Sequence, residues 1–150
     1  CSERKMSFLI LRISSVYGKI KNNDILPGVI PDLIKKIYNS KDEIIKLNGS
    51  GASTRNFINI DDVIKIMSEI ISEKRLFNNI INICSNNNTF LEVLVKSILN
   101  VIKVKKDFQF ENNLRINSRS ILSDFRYINE KNFISLSEGI RDLSKIIIYK

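Results

Sequence analysis

The sequence predicts an α/β fold built on parallel strands, and two observations carry that reading. Short apolar runs of strand length occur at residues 7–13, 44–47 and 80–83, the pattern of strands buried in a parallel sheet. Between and after them lie segments whose apolar residues recur at helical spacing, so strand and helix alternate along the chain.

The first run, SFLILRI at 7–13, is a strand buried on both faces, and VYG at 16–18 ends it in a turn. The polar stretch KIKNND at 19–24 is a loop. Pro27 and Pro31 bracket the start of a helix whose apolar stripe is Val29, Ile30, Leu33, Ile34 and Ile37. Residues 44–47 form a short strand, and GSGAST at 49–54 is a glycine loop. Residues 55–60 alternate, with Phe57 on one face and Ile58 and Ile60 on the other. Asp61 and Asp62 then place anionic groups at a helix N-terminus, where the helix dipole favours them. Val63, Ile66, Met67, Ile70 and Ile71 are that helix's buried stripe. After the strand at 80–83, SNNN at 85–88 is a turn. Thr89 and Glu92 read as a capping box opening a helix over 90–101. Residues 136–148 are a last amphipathic helix, capped by Ser135 or Ser137. There is no internal repeat and no long low-complexity linker.

At 150 residues the chain is long enough to bury a core, and its apolar runs fall well short of the ~20 residues needed to span a bilayer. No secretory signal pattern opens the sequence, and Cys1 and Cys84 have no metal-like spacing. A reduced, cytoplasmic setting follows from that usage. The net charge of +8 raises a nucleic-acid reading. The charges are spread along the chain, and the densest cluster, at 103–106, lacks the aromatic interleaving that stacks bases. Neither nucleic acid nor a membrane is therefore expected as a partner. Histidine is absent, which removes Ser-His-Asp and Cys-His catalysis. The chain begins with Cys rather than Met, so it reads as a piece of a longer protein.

Y-x-x-x-K occurs at Tyr17–Lys21 and at Tyr127–Lys131. The first copy contains Gly18 and runs into a loop, and the second lies in a polar connection, so neither is expected to be catalytic. Gly49 and Gly51 lack the Lys-Ser/Thr of a phosphate-binding P-loop and read as a turn. Arg55 stands out. It is the lone arginine between Arg12 and Arg75, in a chain with twice as much lysine as arginine. Where lysine is the default cation, arginine marks places where a planar, bidentate fork matters, as on phosphate. Arg12, Arg115 and Arg119 fall under the same reasoning.

Taken together, LRISSVYG (11–18), GVIPDLI (28–34), LNGSGASTRNFINIDDV (47–63), INICSNNNTFLEVL (81–94), SRSILSDFRYI (118–128) and LSEGIRDL (136–143) carry a resemblance. The sequence resembles the C-terminal portion of the extended short-chain dehydrogenase/reductase family, the NAD-dependent nucleotide-sugar epimerases and dehydratases. The third motif is the most specific. The family's pattern there is a glycine-rich loop followed by R-D-[FY]-[IV]-x-V-x-D, and Asn56 stands where the family has aspartate.

The resemblance implies the last part of a Rossmann-type parallel sheet plus a small α/β substrate-binding lobe. Residues 1–18 would be a late Rossmann strand and turn, and 19–150 mainly the lobe. The dinucleotide-binding half, with its NAD or NADP fingerprint and catalytic Tyr and Lys, would precede this sequence. It would be a partner within the same protein, and homodimers of the family pair mostly through its helices. By resemblance, Arg55 contacts the diphosphate of a nucleotide sugar, with Arg115 or Arg119 as a second arginine. By the same resemblance, Asp124 lies near the nucleotide ribose or its arginine partner. Ser15 replaces the asparagine of N-x-Y-G on the diphosphate side, and Val29 meets the nucleotide through its backbone. Ser14 and Val16 flank Ser15 where the backbone approaches the nicotinamide. The implied function is the substrate-binding portion of a nucleotide-sugar epimerase or dehydratase, inactive by itself, with the glycines beside Arg55 letting the loop close. The alternative is a stand-alone nucleotide-sugar-binding or regulatory module without catalysis.

Overall fold

The computed structural model describes residues 6–73, 76–111 and 133–149. Strand β1 (Leu9–Ile13) pairs in parallel with β5 (Asn79–Ile83), with Ile10 opposite Ile80 and Leu11 opposite Ile81. Leu9, Leu11, Ile81 and Ile83 turn inward, whereas Ile10 is 47% and Ile80 50% exposed. The expected strand buried on both faces is therefore covered on one, because nothing among the described residues packs on the other.

Where a turn was expected, residues Ser15–Tyr17 form a short strand, β2, paired in parallel with β4 (Thr54–Asn59). On its other edge β4 pairs antiparallel with β6 (Asn88–Phe90). Strand β3 (Ile44–Asn48) pairs in parallel with β7 (Asp107–Glu111), which the sequence reading did not anticipate.

Helix α1 (Val29–Asn39) buries Ile30, Ile34 and Ile37, the stripe expected of it. Helix α2 (Ile60–Ser72) is capped by Asn59, whose Oδ1 accepts from the Asp61 N–H at 3.0 Å, so the cap lies just before the two aspartates. Helix α3 (Leu91–Ile102) starts without a side-chain cap. The expected Thr89–Glu92 capping box does not form: Thr89 is taken up by β6, and Glu92 pairs with Lys96 at 2.6 Å on the exposed face. Helix α4 (Leu136–Ile148) is capped by Ser135, whose Oγ accepts from the Glu138 N–H at 3.3 Å.

Two cores result. The first gathers α1, α3, α4 and the inner face of β3 around Ile34, Leu47, Leu94, Ile98 and Leu143. The second packs α2 on β1 and β5 through Val63, Ile66, Ile70, Ile81 and Ile83. The β2–β4–β6 sheet separates them: Tyr17 and Phe57 point into the first core, Val16 and Ile58 into the second. Residues 9–16 and 58–83 thus build the second core together, so the chain passes between the cores more than once.

Candidate functional site: one face of the central sheet

The registers of this sheet fix which side chains stand together. Ser15 lies opposite Phe57, Tyr17 opposite Asn59, and Arg55 opposite Thr89. Paired residues project to the same side and alternate along each strand. Ser15, Tyr17, Arg55, Phe57, Asn59 and Thr89 therefore share one face. Against it lies a cavity of about 220 Å³, walled by Tyr17, Phe57, Thr89, the 85–87 turn and residues 133–136. A drug-sized ligand takes roughly 300–1,000 Å³, so this cavity accommodates part of such a molecule.

Arg55 and Ser15 are half-buried, and no ion pair to Arg55 occurs among the described residues. A half-buried guanidinium with no carboxylate partner keeps its bidentate donor fork available. Ser14 donates its N–H to the Ile83 carbonyl at 3.0 Å, while its Oγ is buried with no partner among the described residues. Val16 packs its side chain on the second core, leaving its backbone for any contact. Val29 opens α1 with its side chain against the first core, so it too offers only backbone. Arg115, Arg119 and Asp124 lie outside the described residues.

The loop before Arg55 is tied down. Ser53 N–H donates to Ser50 O at 3.0 Å, Leu91 N–H to Ser53 O at 2.9 Å, and Glu92 N–H to Gly51 O at 3.2 Å. A Cβ on Gly51 would come 2.8 Å from Cε2 of Phe110, so this glycine marks a close approach to β7. These bonds oppose the loop closure expected from the glycines.

Among the described residues, two titratable groups at this sheet are perturbed. Burial pushes the Tyr17 hydroxyl up to about 12; the Asn59 hydrogen bond opposes the shift, and Asp62 and Glu138 add to it. Tyr17 thus stays neutral, and Lys21 sits beyond Gly18 in the short 3-10 turn Lys21–Asn23 rather than on a shared helix. The first Y-x-x-x-K therefore does not lie on one helix. Asp62, 4% exposed, has its carboxyl raised, chiefly by burial; the backbone N–H of Ile134, donating at 3.0 Å, partly offsets this.

Sequence reasoning missed Asn56. Its Nδ2 donates to the carbonyls of Ser85 at 2.8 Å and Asn87 at 3.3 Å. Its Oδ1 accepts from the N–H of Ser85 at 2.9 Å and from the Ser85 hydroxyl at 3.2 Å. The one signal for it was the departure from the family's aspartate.

The architecture is that of an α/β protein with parallel pairing around a crevice-forming sheet. A family model described as the NAD dependent epimerase/dehydratase family matches residues 1–84, and the chain belongs to that family. No curated protein matches the sequence. Among solved structures, the chain is similar to RMD from Pseudomonas aeruginosa complexed with NADPH. The TM-score there is 0.75 at 15% identity, over 93% of this chain and 48% of that one. It is similar to UDP-glucuronic acid 4-epimerase from Bacillus cereus in complex with UDP-glucuronic acid and NAD. That match has TM-score 0.75 at 20% identity, over 94% of this chain and 45% of that one. UDP-glucose 4-epimerase from Thermotoga maritima, with UDP-glucose, matches with TM-score 0.74 at 16% identity, over 99% and 48% of the two chains. The chain spans about half the length of these structures, and the likeness establishes the fold, including the expected Rossmann-type α/β class.

Proposed function

We propose that this chain is the substrate-binding portion of an NAD(P)-dependent nucleotide-sugar epimerase or dehydratase, with Arg55 as the anchor for the sugar diphosphate. The observation that carries this reading is the half-buried Arg55, without an ion pair among the described residues, on the same sheet face as Ser15, Tyr17, Phe57 and Thr89. A diphosphate offers oxygens matched to a guanidinium fork. Ser15 adds a hydroxyl on that face, and Arg115 or Arg119 would add a second cation, with Asp124 toward the ribose. The backbone at Val29 would meet the nucleotide.

The residues present fit the edge of a nicotinamide site. The Ser14 Oγ, buried without a partner among the described residues, lies just past the carboxyl end of β1, where open α/β sheets bind ligands. Ser14 and the Val16 backbone would hold that edge. NAD or NADP, when bound, supplies hydride transfer. What this chain's residues do is bind and orient the sugar nucleotide and shield it from water. In this reading the 150 residues by themselves bind a nucleotide sugar without turning it over.

The test is Arg55→Ala in the full-length protein, followed by calorimetric titration with UDP-glucose and with NAD. Losing charge-assisted hydrogen bonds costs about 2 kcal/mol, or roughly 30-fold in affinity. UDP-glucose affinity is expected to fall by that much while NAD affinity holds. An equal loss of both ligands removes the role given to Arg55.

A further inference from the structure

Asn56 lies on the opposite face of β4 from Arg55 and is 3% exposed, yet it is tied to the wall of the candidate cavity. Its amide makes four hydrogen bonds to the 85–87 turn, spanning 29 to 31 positions in sequence. The donors and acceptors of that turn fix the amide's orientation: only Nδ2 can face two carbonyls, and only Oδ1 can face an N–H. The reverse also holds. Two carbonyls drawn to Nδ2 turn the peptide planes of the 85–87 turn, because each trans peptide is rigid and sets its N–H opposite its C=O. The turn walls the cavity with Ser85, Asn86 and Asn87, and the single proton of the Ser85 hydroxyl is shared between Asn56 Oδ1 and the Asn87 carbonyl, each 3.2 Å away.

We propose that Asn56 is a positioning residue for the nucleotide-sugar site: without touching ligand, its amide sets the peptide orientation of the 85–87 turn and so the shape of one cavity wall. The inference rests on the functional reading above. Leucine at this position keeps the volume but offers neither donor nor acceptor, so the Ser85 and Asn87 carbonyls and the Ser85 N–H lose their partner. Asn56→Leu is therefore the informative change, being close in size and lacking every polar atom of the amide.

The experiment measures UDP-glucose affinity, NAD affinity and thermal midpoint for full-length wild type and Asn56→Leu, with titrations well below the midpoint. The expected result is a tenfold or greater loss of UDP-glucose affinity in a folded variant, with NAD affinity within twofold of wild type. A lowered midpoint with UDP-glucose affinity unchanged would make Asn56 merely structural and overturn the inference, leaving the functional reading intact. A wild type that binds neither UDP-glucose nor dTDP-glucose overturns the functional reading and this inference with it. Should Asn56→Leu not fold, Asn56→Ser carries the same test, since its shorter side chain withdraws the donor from the Ser85 and Asn87 carbonyls without altering a cavity-lining residue. A loss of about threefold or more in UDP-glucose affinity is then expected, and no loss overturns the proposal.

Discussion

Gly139 sits inside α4, where glycine costs about 1 kcal/mol relative to alanine. Its neighbour explains it. A Cβ at this position would lie 2.5 Å from Cε2 of Tyr17 and 2.5 Å from its hydroxyl oxygen, far inside van der Waals contact. Tyr17 is 3% exposed and its hydroxyl is hydrogen-bonded to Asn59, so the ring has nowhere to swing. Gly139→Ala should therefore destabilise the protein by about 1–3 kcal/mol despite its better helix propensity, because overpacking outweighs propensity. A urea titration reads this as a lower midpoint at unchanged slope. Adding Tyr17→Phe removes the contact with the hydroxyl oxygen, so the double variant should lose less than the sum of the single changes. A stabilised Gly139→Ala variant would mean that the tyrosine can yield.

The start of α2 shows how an element carries both a dipole and a tether. Asp61 and Asp62 favour the helix N-terminus, but Asp62 is also buried and holds the Ile134 N–H. Its carboxyl is raised from the ordinary 3.8, with burial as the leading cause. Between that ordinary value and the raised native one, the folded state binds more protons than the unfolded state. Stability contributed at this site is therefore lost as pH rises through that window. Asp62→Asn keeps an oxygen for Ile134 and carries no titratable group. Denaturation midpoints across the acidic range should show wild type losing stability relative to Asp62→Asn as pH rises; parallel profiles would exclude Asp62 as the source. Among the described residues, the four α-helices were legible because each turns a stripe of apolar residues at helical spacing toward a core. Strand β7 was not, since DFQFE is a five-residue alternation directly after a lysine-rich stretch. Thr89 satisfied a capping pattern locally, and pairing with Arg55 overrode it. The site was readable only in part for the same reason. Arg55 is conspicuous in the sequence, but its company with Ser15 and Thr89 comes from strand pairing, which no local pattern encodes. Asn56's bonds to the 85–87 turn depend on the same long-range pairing.

At the scale of the whole molecule, the two cores share a single partition. Strand β4 sends Phe57 into the first core and Ile58 into the second, and β2 divides Tyr17 from Val16 in the same way. Asp62, from the second core's helix, also bonds the segment that leads into α4 of the first. Loosening either core therefore exposes one face of the sheet that the other core needs, and the two should unfold as one cooperative unit. Ile34 in the first core is 0% exposed and Ile81 in the second is 1% exposed. Truncating either to alanine removes buried methyl and methylene groups and leaves a cavity, at a cost of about 2–5 kcal/mol. If the partition couples the cores, Ile34→Ala and Ile81→Ala will each shift one shared transition, with far-UV circular dichroism and tyrosine fluorescence coinciding. Independent cores would instead give each variant two transitions, one displaced and one at the wild-type midpoint. Coupling of this kind matters for the proposed site, because a cleft formed on a shared sheet keeps its shape only while both cores hold that sheet.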